Sequence, residues 1–523
     1  MAVVISDIGE EKAPVGSSET NPSPSFIPYT TFRLSTRRTL VFLLGYLSLA
    51  SSLTANIYFP LIEVLSHNYN VSVQKINLTI TLFYVFQGIA PSFWSPLSDT
   101  FGRRPVYMSI FIVYTVGSLG LSVSGKSYAS LLIFRALQSV GGSAVLSLSY
   151  AVVSDFCVHS ERGSFIAPMM TAANIGPLIG PVIGGGIALA TGHPVWCFRA
   201  LLIFGGSGVL LIGWLMPETG RMVVGNGSVP AQGIWRSWWS LLRERRRLKN
   251  SRTASSDDEK GSIDTPRANA SLDGDINTGK DGRGKWVMPN PFPSIRLIGH
   301  PDTFLILWLA ASPYAFWSAV QTTMTPIFSV RYGFNSLEVG AAFLAGGVGI
   351  LAGGFVAGKL MDVNYSHEAR KVGITTERER GEDIAEFPIE RARSRGSTLI
   401  IAISIGAVVG YGWAIQKHAH PAILLVLQLY LGCRSTALHQ TYSALIVDIF
   451  PETPGTAAAA NNITRCTLSA VVVAALSPLI QAIGYGWIYT LLGLLDGVGC
   501  IIAIWMLRRW GKKWRERRNT ARV

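Results

Sequence analysis

Runs of about twenty apolar residues recur along this 523-residue chain, and they restrict its fold more than any other feature. Wound as a helix, a run of that length crosses roughly 30 Å of hydrocarbon with its backbone polar groups satisfied internally. We place twelve, at 39–60, 76–97, 105–124, 128–152, 164–190, 197–216, 304–327, 336–360, 397–416, 421–447, 457–480 and 486–507. Charged residues make up 15% of the chain, against about 25% in soluble domains, so a water-soluble globule is excluded. The expectation is an all-α, polytopic membrane protein with twelve transmembrane helices in two six-helix halves.

The breaks between runs set the orientation. RRTL, TFGRRP, VHSERG, the middle stretch, 363–396 and the tail RRWGKKWRERRNTARV are rich in Lys and Arg, while the first three opposite breaks carry Lys75, Lys126 and His193. Basic segments stay in the cytosol, so both termini are expected there. The formal net charge of +14 is thereby a matter of topology and not of nucleic-acid binding. The organisation expected is a disordered cytosolic leader (1–38), a first bundle (39–216), a cytosolic central loop (217–303), a second bundle (304–507) and a basic cytosolic tail (508–523). The loop lacks apolar periodicity, although Trp235, Trp238 and Trp239 around Ile234–Leu242 suit a short helix at a membrane surface. Asn70 and Asn77 head glycosylation sequons on or near the outer side. The five cysteines have no paired spacing, so neither a disulfide framework nor a metal site is expected, and no cofactor.

One break carries more than topology requires. SPLSDTFGRRP at 95–105 places Asp99 beside Arg103 and Arg104 in a tight turn between spans two and three; a carboxylate there can latch onto a guanidinium or a helix end and release it on opening. GKLMD at 358–362 closes span eight with Gly358, Leu360 and Asp362 at the spacing of Ser95, Leu97 and Asp99, without the following GRR. Two halves with a shared mark suggest an internal repeat that rocks about a central site. In span five, NIGPLIGPVIGGG sets Gly176, Gly180 and Gly184 on one smooth face and Pro177 and Pro181 four apart, a helix that is bent and packs closely.

These stretches resemble the signatures of the major facilitator superfamily. SPLSDTFGRR is similar to its cytosolic motif at Leu97, Asp99, Gly102, Arg103 and Arg104, with Ser95 in place of the usual first glycine. RALQSVGG at 135–142 resembles its fourth-span signature, NIGPLIGPVIGGG the fifth-span signature of antiporters, and MPET at 216–219 the mark ending span six. The set is similar to the twelve-span drug:proton antiporter group, above all its fungal members. The resemblance implies a non-enzymatic, monomeric carrier of the plasma membrane working by rocker-switch alternating access, with Arg135 in proton coupling or helix organisation.

Ionisable residues within the hydrocarbon are costly and mark function. The basic ones are Arg135, Arg199, Arg434, His439 and Arg465; the acidic ones, Glu63, Asp155 and Asp448, fall at span ends, so no carboxylate is expected deep. An electropositive cavity favours an anion, and a guanidinium fork suits a carboxylate. Arg434 with His439 and Gln440 is the leading substrate contact, Asn56, Asn174, Gln321 and Arg199 are further candidates, and Arg465 is an inner-side cationic contact. Joined to the resemblance to fungal organic-acid exporters, this singles out citrate, with protons as a coupling partner and membrane lipids as surroundings. A broad exporter of hydrophobic drugs and a non-transporting receptor or scaffold are the alternatives.

Overall fold

The computed structural model describes residues 29–125, 127–157, 161–244, 292–372, 389–450 and 453–520. It contains eleven helical segments long and apolar enough to cross a bilayer: α1 (Leu34–Tyr69), α2 (Val73–Phe101), α3 (Arg103–Val123), α4 (Tyr128–Phe156), α5 (Ser164–Thr191), α6 (Val195–Leu215), α7 (Pro301–Arg331), α8 (Ser336–Glu368), α9 (Ile389–Gln416), α10 (Pro421–Ile449) and α11 (Pro454–Arg518). The last is 65 residues long, and Gly484 interrupts it with φ 79° and ψ 169°. An uninterrupted helix of that length would span about 98 Å at 1.5 Å per residue, so the break turns the chain back within α11. Its two limbs hold the runs expected at 457–480 and 486–507. The protein is an all-α, multi-pass membrane protein.

Arg37, Arg103, Arg221, Arg393 and Arg508 all engage partners at helix ends on one face, hereafter the arginine-rich face. Near the opposite face a single apolar cluster crosses both halves of the chain, joining Ile57, Phe59 and Tyr84 to Trp317, Phe343 and Leu476. Near the arginine-rich face the apolar core divides in two. Leu44, Phe111 and Phe156 lie in a cluster built from the first half, and Ile306, Ile446 and Leu507 in one built from the second. The halves are therefore joined at the far face and parted at the arginine-rich face.

Glycines make the joined end close. Gly176, Gly180 and Gly184 pack on α1, where a Cβ on Gly180 would lie 3.2 Å from Ile57 N. The smooth face expected on span five thus meets its own half. The seam between halves uses other residues of the same helix: Gly340 of α8 faces the Pro181 carbonyl, Gly185 faces Ser336, and a Cβ on Gly347 would come within 2.6 Å of Leu178 Cα.

The polar segments flanking the spans carry structure of their own. Residues 217–244 of the central loop are folded against the α2–α3 turn; 245–291 lie outside the described residues. The basic tail is helical to Thr520 and docks through buried ion pairs, Arg515 with Glu390 at 3.1 Å and Arg518 with Asp302. Part of the leader is ordered as well, since Tyr29 Oη donates to Ser154 O at 3.0 Å; 1–28 lie outside the described residues. Of the two sequons expected on the outer side, Asn77 is buried in α2, while Asn70 is exposed with φ 51°.

Candidate functional site

At the arginine-rich face, the α2–α3 turn depends on Gly102, whose φ of 95° side-chain-bearing residues rarely adopt and whose missing Cβ would collide with Glu218 and Trp235. Glu218, from MPET, caps α3 from a distance. Its Oε1 accepts from Arg103 N at 2.8 Å and Gly220 N at 2.8 Å, and its Oε2 from Arg104 N at 3.2 Å. Burial pushes the Glu218 carboxyl above the ordinary carboxylate range, with these N–H donors opposing.

Arg103 is the hub of the turn. Its Nε donates to Asp155 Oδ2 at 2.8 Å, and its NH1 to Ser98 Oγ at 2.7 Å and Asp99 Oδ1 at 2.5 Å. The Asp99 side chain is 62% exposed and that of Asp155 8%, so Asp155 is the sheltered partner and Asp99 the outer one. Leu97 packs on the first-half cluster beneath them. Arg104 turns away, donating to Ile234 O and Gly213 O.

The expected echo at Asp362 is corrected: its side chain is exposed and has no ion-pair partner among the described residues. The second-half counterpart is the pair Arg393–Asp448, at 2.9 Å, joining the start of α9 to the end of α10 as Arg103–Asp155 joins α3 to α4. Gly396 with φ 78° follows Arg393 closely, as Gly102 precedes Arg103. The missing GRR is thus supplied by RARSRG at 391–396, some thirty residues past the place where spacing pointed.

Deeper in the bundle two arginines have no carboxylate within ion-pair reach among the described residues, Arg135 inside the first half and Arg465 at the seam. Arg135 of α4 is buried, donating to Gln138 Oε1 at 2.8 Å and Thr54 O at 3.4 Å, with its guanidinium carbon 4.1 Å from the Tyr58 ring centre and 4.6 Å from that of Phe83. Arg465 of α11 is half-buried, donating to Asn462 Oδ1 at 2.8 Å and lying 4.5 Å over the Tyr314 ring. Among the described residues neither has an acidic partner within ion-pair reach. Around Arg465 the halves meet: Asn462 Nδ2 donates to Gln87 O at 3.0 Å and Tyr84 Oη to Ser318 Oγ at 3.2 Å, while Gln87 Nε2 is held within the first half by Ser51 Oγ at 3.1 Å. His439 joins this group, its ring 5.8 Å from that of Tyr314 and its Nδ1 2.9 Å from Ala310 O. Toward the far face Gln321 Nε2 donates to Asn56 Oδ1 at 3.1 Å. No hydrogen bond among the described residues links Gln440 or Asn174, both half-buried, to Arg465.

The leading substrate contact is corrected. Arg434 forms a buried ion pair with Asp496 of α11, whose Oδ1 also accepts from Ser312 Oγ at 2.8 Å. The expectation that no carboxylate lies deep fails on Asp496, so the positive charge of Arg434 is already neutralised inside the second half. Arg199 is exposed near the far face and lies 4.5 Å over Trp196, away from the seam. Sequence reasoning passed over Gln87 and Asn462, which carry no charge to mark them. Asp496 did carry a signal, since the rule that singles out a charge inside an apolar run applies to LLDGVG as it does to Arg434.

Apolar helices joined at one face and parted at the other, with arginine, amide and aromatic side chains between, define a multi-pass membrane protein. The chain belongs to the Major Facilitator Superfamily, whose family model matches residues 44–474. It is a secondary transporter and not an enzyme. It is 35% identical over 488 residues to MFS-type transporter phiD of Fungal sp. (strain ATCC 74256), covering 93% of this chain and 70% of that one. It is 33% identical over 499 residues to Citrate exporter 1 of Aspergillus niger, covering 94% and 89%. The fold is also similar to the crystal structure of D-xylose-proton symporter, with a TM-score of 0.58 at 14% identity over 89% of this chain and 96% of that one.

Proposed function

We propose that the protein exports a small organic anion, with citrate the specific cargo, across the plasma membrane by rocker-switch alternating access. The observation that carries this reading is Arg465: a half-buried guanidinium at the junction of the halves, flanked by Tyr314, His439 and Asn462, with no acidic partner among the described residues. A carboxylate entering from the arginine-rich face would supply the missing countercharge in a poorly hydrated place, where a guanidinium–carboxylate contact is strong. Arg135 adds a second uncompensated charge. The relative named Citrate exporter 1 supports the choice of cargo.

In this reading α11 contributes two spans, giving twelve in two six-helix halves (39–216 and 304–507). The arginine-rich face is cytosolic, with both termini there, and the conformation is the one that loads cargo. Proton exchange drives the cycle in a monomer. The drug:proton antiporter reading draws on the rings of Tyr84 and Tyr314 beside Arg465, which suit a larger amphipathic cargo. Extracellular metabolite profiling of cells overproducing the chain separates the two: a rise in citrate or another small organic acid supports the first, and unchanged acids with increased drug efflux overturns it.

A further inference from the structure

The folded part of the central loop is tied to the α2–α3 turn and ends in an apolar patch left exposed among the described residues. Trp235 Nε1 donates to Phe101 O at 2.8 Å and Arg104 NH1 to Ile234 O at 2.5 Å, so residues 233–235 strap the turn from outside. Residues 238–244 continue as helix. Trp238 packs edge-on against Trp214 of α6, with ring centres 6.3 Å apart, and fills the space over Gly213. Ile234, Trp239 and Leu242 are left 65%, 50% and 38% exposed.

Two observations name what covers them. Trp214 and Leu215, exposed at 40% and 47%, are the last residues of a membrane-crossing helix, so the patch beside them stands where hydrocarbon gives way to headgroups. The charge there is positive: Arg243 lies 5.3 Å over the Trp239 ring, and the sequence continues as RERRRLK from that residue. Tryptophan with apolar neighbours on one side and arginine on the other is the pattern of a helix lying in the surface of an anionic leaflet.

We propose that residues 234–243 form an interfacial anchor for anionic phospholipid, with Ile234, Trp239 and Leu242 in the acyl boundary and Arg243 on the headgroups. Because Trp235 and Ile234 hold Phe101 and Arg104, lipid charge sets the rigidity of the α2–α3 turn. The anchor depends on membrane embedding alone and not on the identity of the cargo.

The test uses the full chain in nanodiscs of phosphatidylcholine, with and without phosphatidylserine. A nitroxide is placed at Trp239→Cys, at Leu242→Cys as a second site, and at Val229→Cys as an exposed control, all in a Cys433→Ser background. Labels at 239 and 242 are expected to be relaxed more by oxygen than by a water-soluble nickel chelate, and the label at 229 the reverse. Phosphatidylserine is expected to slow hydrogen exchange at 99–104 by about five-fold for each arginine engaged, and Arg243→Gln to remove its share. Aqueous labels at 239 and 242 in both lipids, labels shielded from both relaxants as under a protein cover, or exchange indifferent to phosphatidylserine would each overturn the proposal.

Discussion

Replacing Arg434 separates a structural ion pair from a substrate receptor. Arg434→Gln strips Asp496, 1% exposed, of its ion-pair partner and leaves Ser312 its remaining hydroxyl donor at 2.8 Å and the Cys500 thiol at 3.5 Å. Stranding one partner of a buried pair costs about 3–5 kcal/mol, a fall in the folding equilibrium constant of roughly a hundred-fold to a few thousand-fold at about 1.4 kcal/mol per decade. Arg434→Gln combined with Asp496→Asn removes both charges and should recover most of the loss, giving a coupling energy near the upper end of the usual range, about 3 kcal/mol. Thermal and denaturant unfolding of the purified protein in nanodiscs, for wild type, both single variants and the double variant, measures this cycle. An Arg434→Gln protein as stable as wild type, with only anion transport lost, would refute the reasoning and restore Arg434 as a ligand.

Three further outcomes are expected. Asp155→Asn should lower both stability and surface-normalised transport more than Asp99→Asn, because Asp155 is the sheltered partner of Arg103; the opposite ranking in paired assays would contradict that. Gly347→Leu should wedge the α5–α8 seam against Leu178 at a cost of about 1–3 kcal/mol to the state joined at the far face, read as longer distances between spin labels placed across that face. Deleting 251–285, outside the described residues and lacking apolar periodicity, should leave transport intact, and a delivered but inactive deletion would reveal a contact in that segment.

Much of this was legible in sequence because the bilayer imposes it. Apolar runs near twenty residues located the helices, and the span-two turn advertised itself by charges that hydropathy did not need. What stayed hidden was partnership. Gly176, Gly180 and Gly184 announced a close approach but not that α1 makes it, while the inter-half seam fell to Gly185, Gly340 and Gly347. Arg393–Asp448 and Trp235–Phe101 join residues with no local spacing to connect them. Helical periodicity also does not say which face meets lipid, which is why Arg199 was grouped with the cavity and is stacked on Trp196 at the periphery. A single charge inside an apolar run is visible, but its meaning depends on whether a second one faces it, and Asp496 reversed the reading of Arg434.

The most direct measurement is flux of labelled citrate into proteoliposomes holding the purified chain, comparing wild type with Arg465→Lys and Arg465→Gln at equal protein content. Loss of a buried charge-assisted contact is worth about 2–5 kcal/mol, so Arg465→Gln should lower kcat/KM for citrate by roughly thirty-fold or more, with Arg465→Lys intermediate because it keeps the charge and loses the fork. Unfolding stability should be little changed, since Arg465 has no ion pair to strand among the described residues. Undiminished citrate flux through Arg465→Gln, or no citrate flux through the wild type, would contradict the assignment.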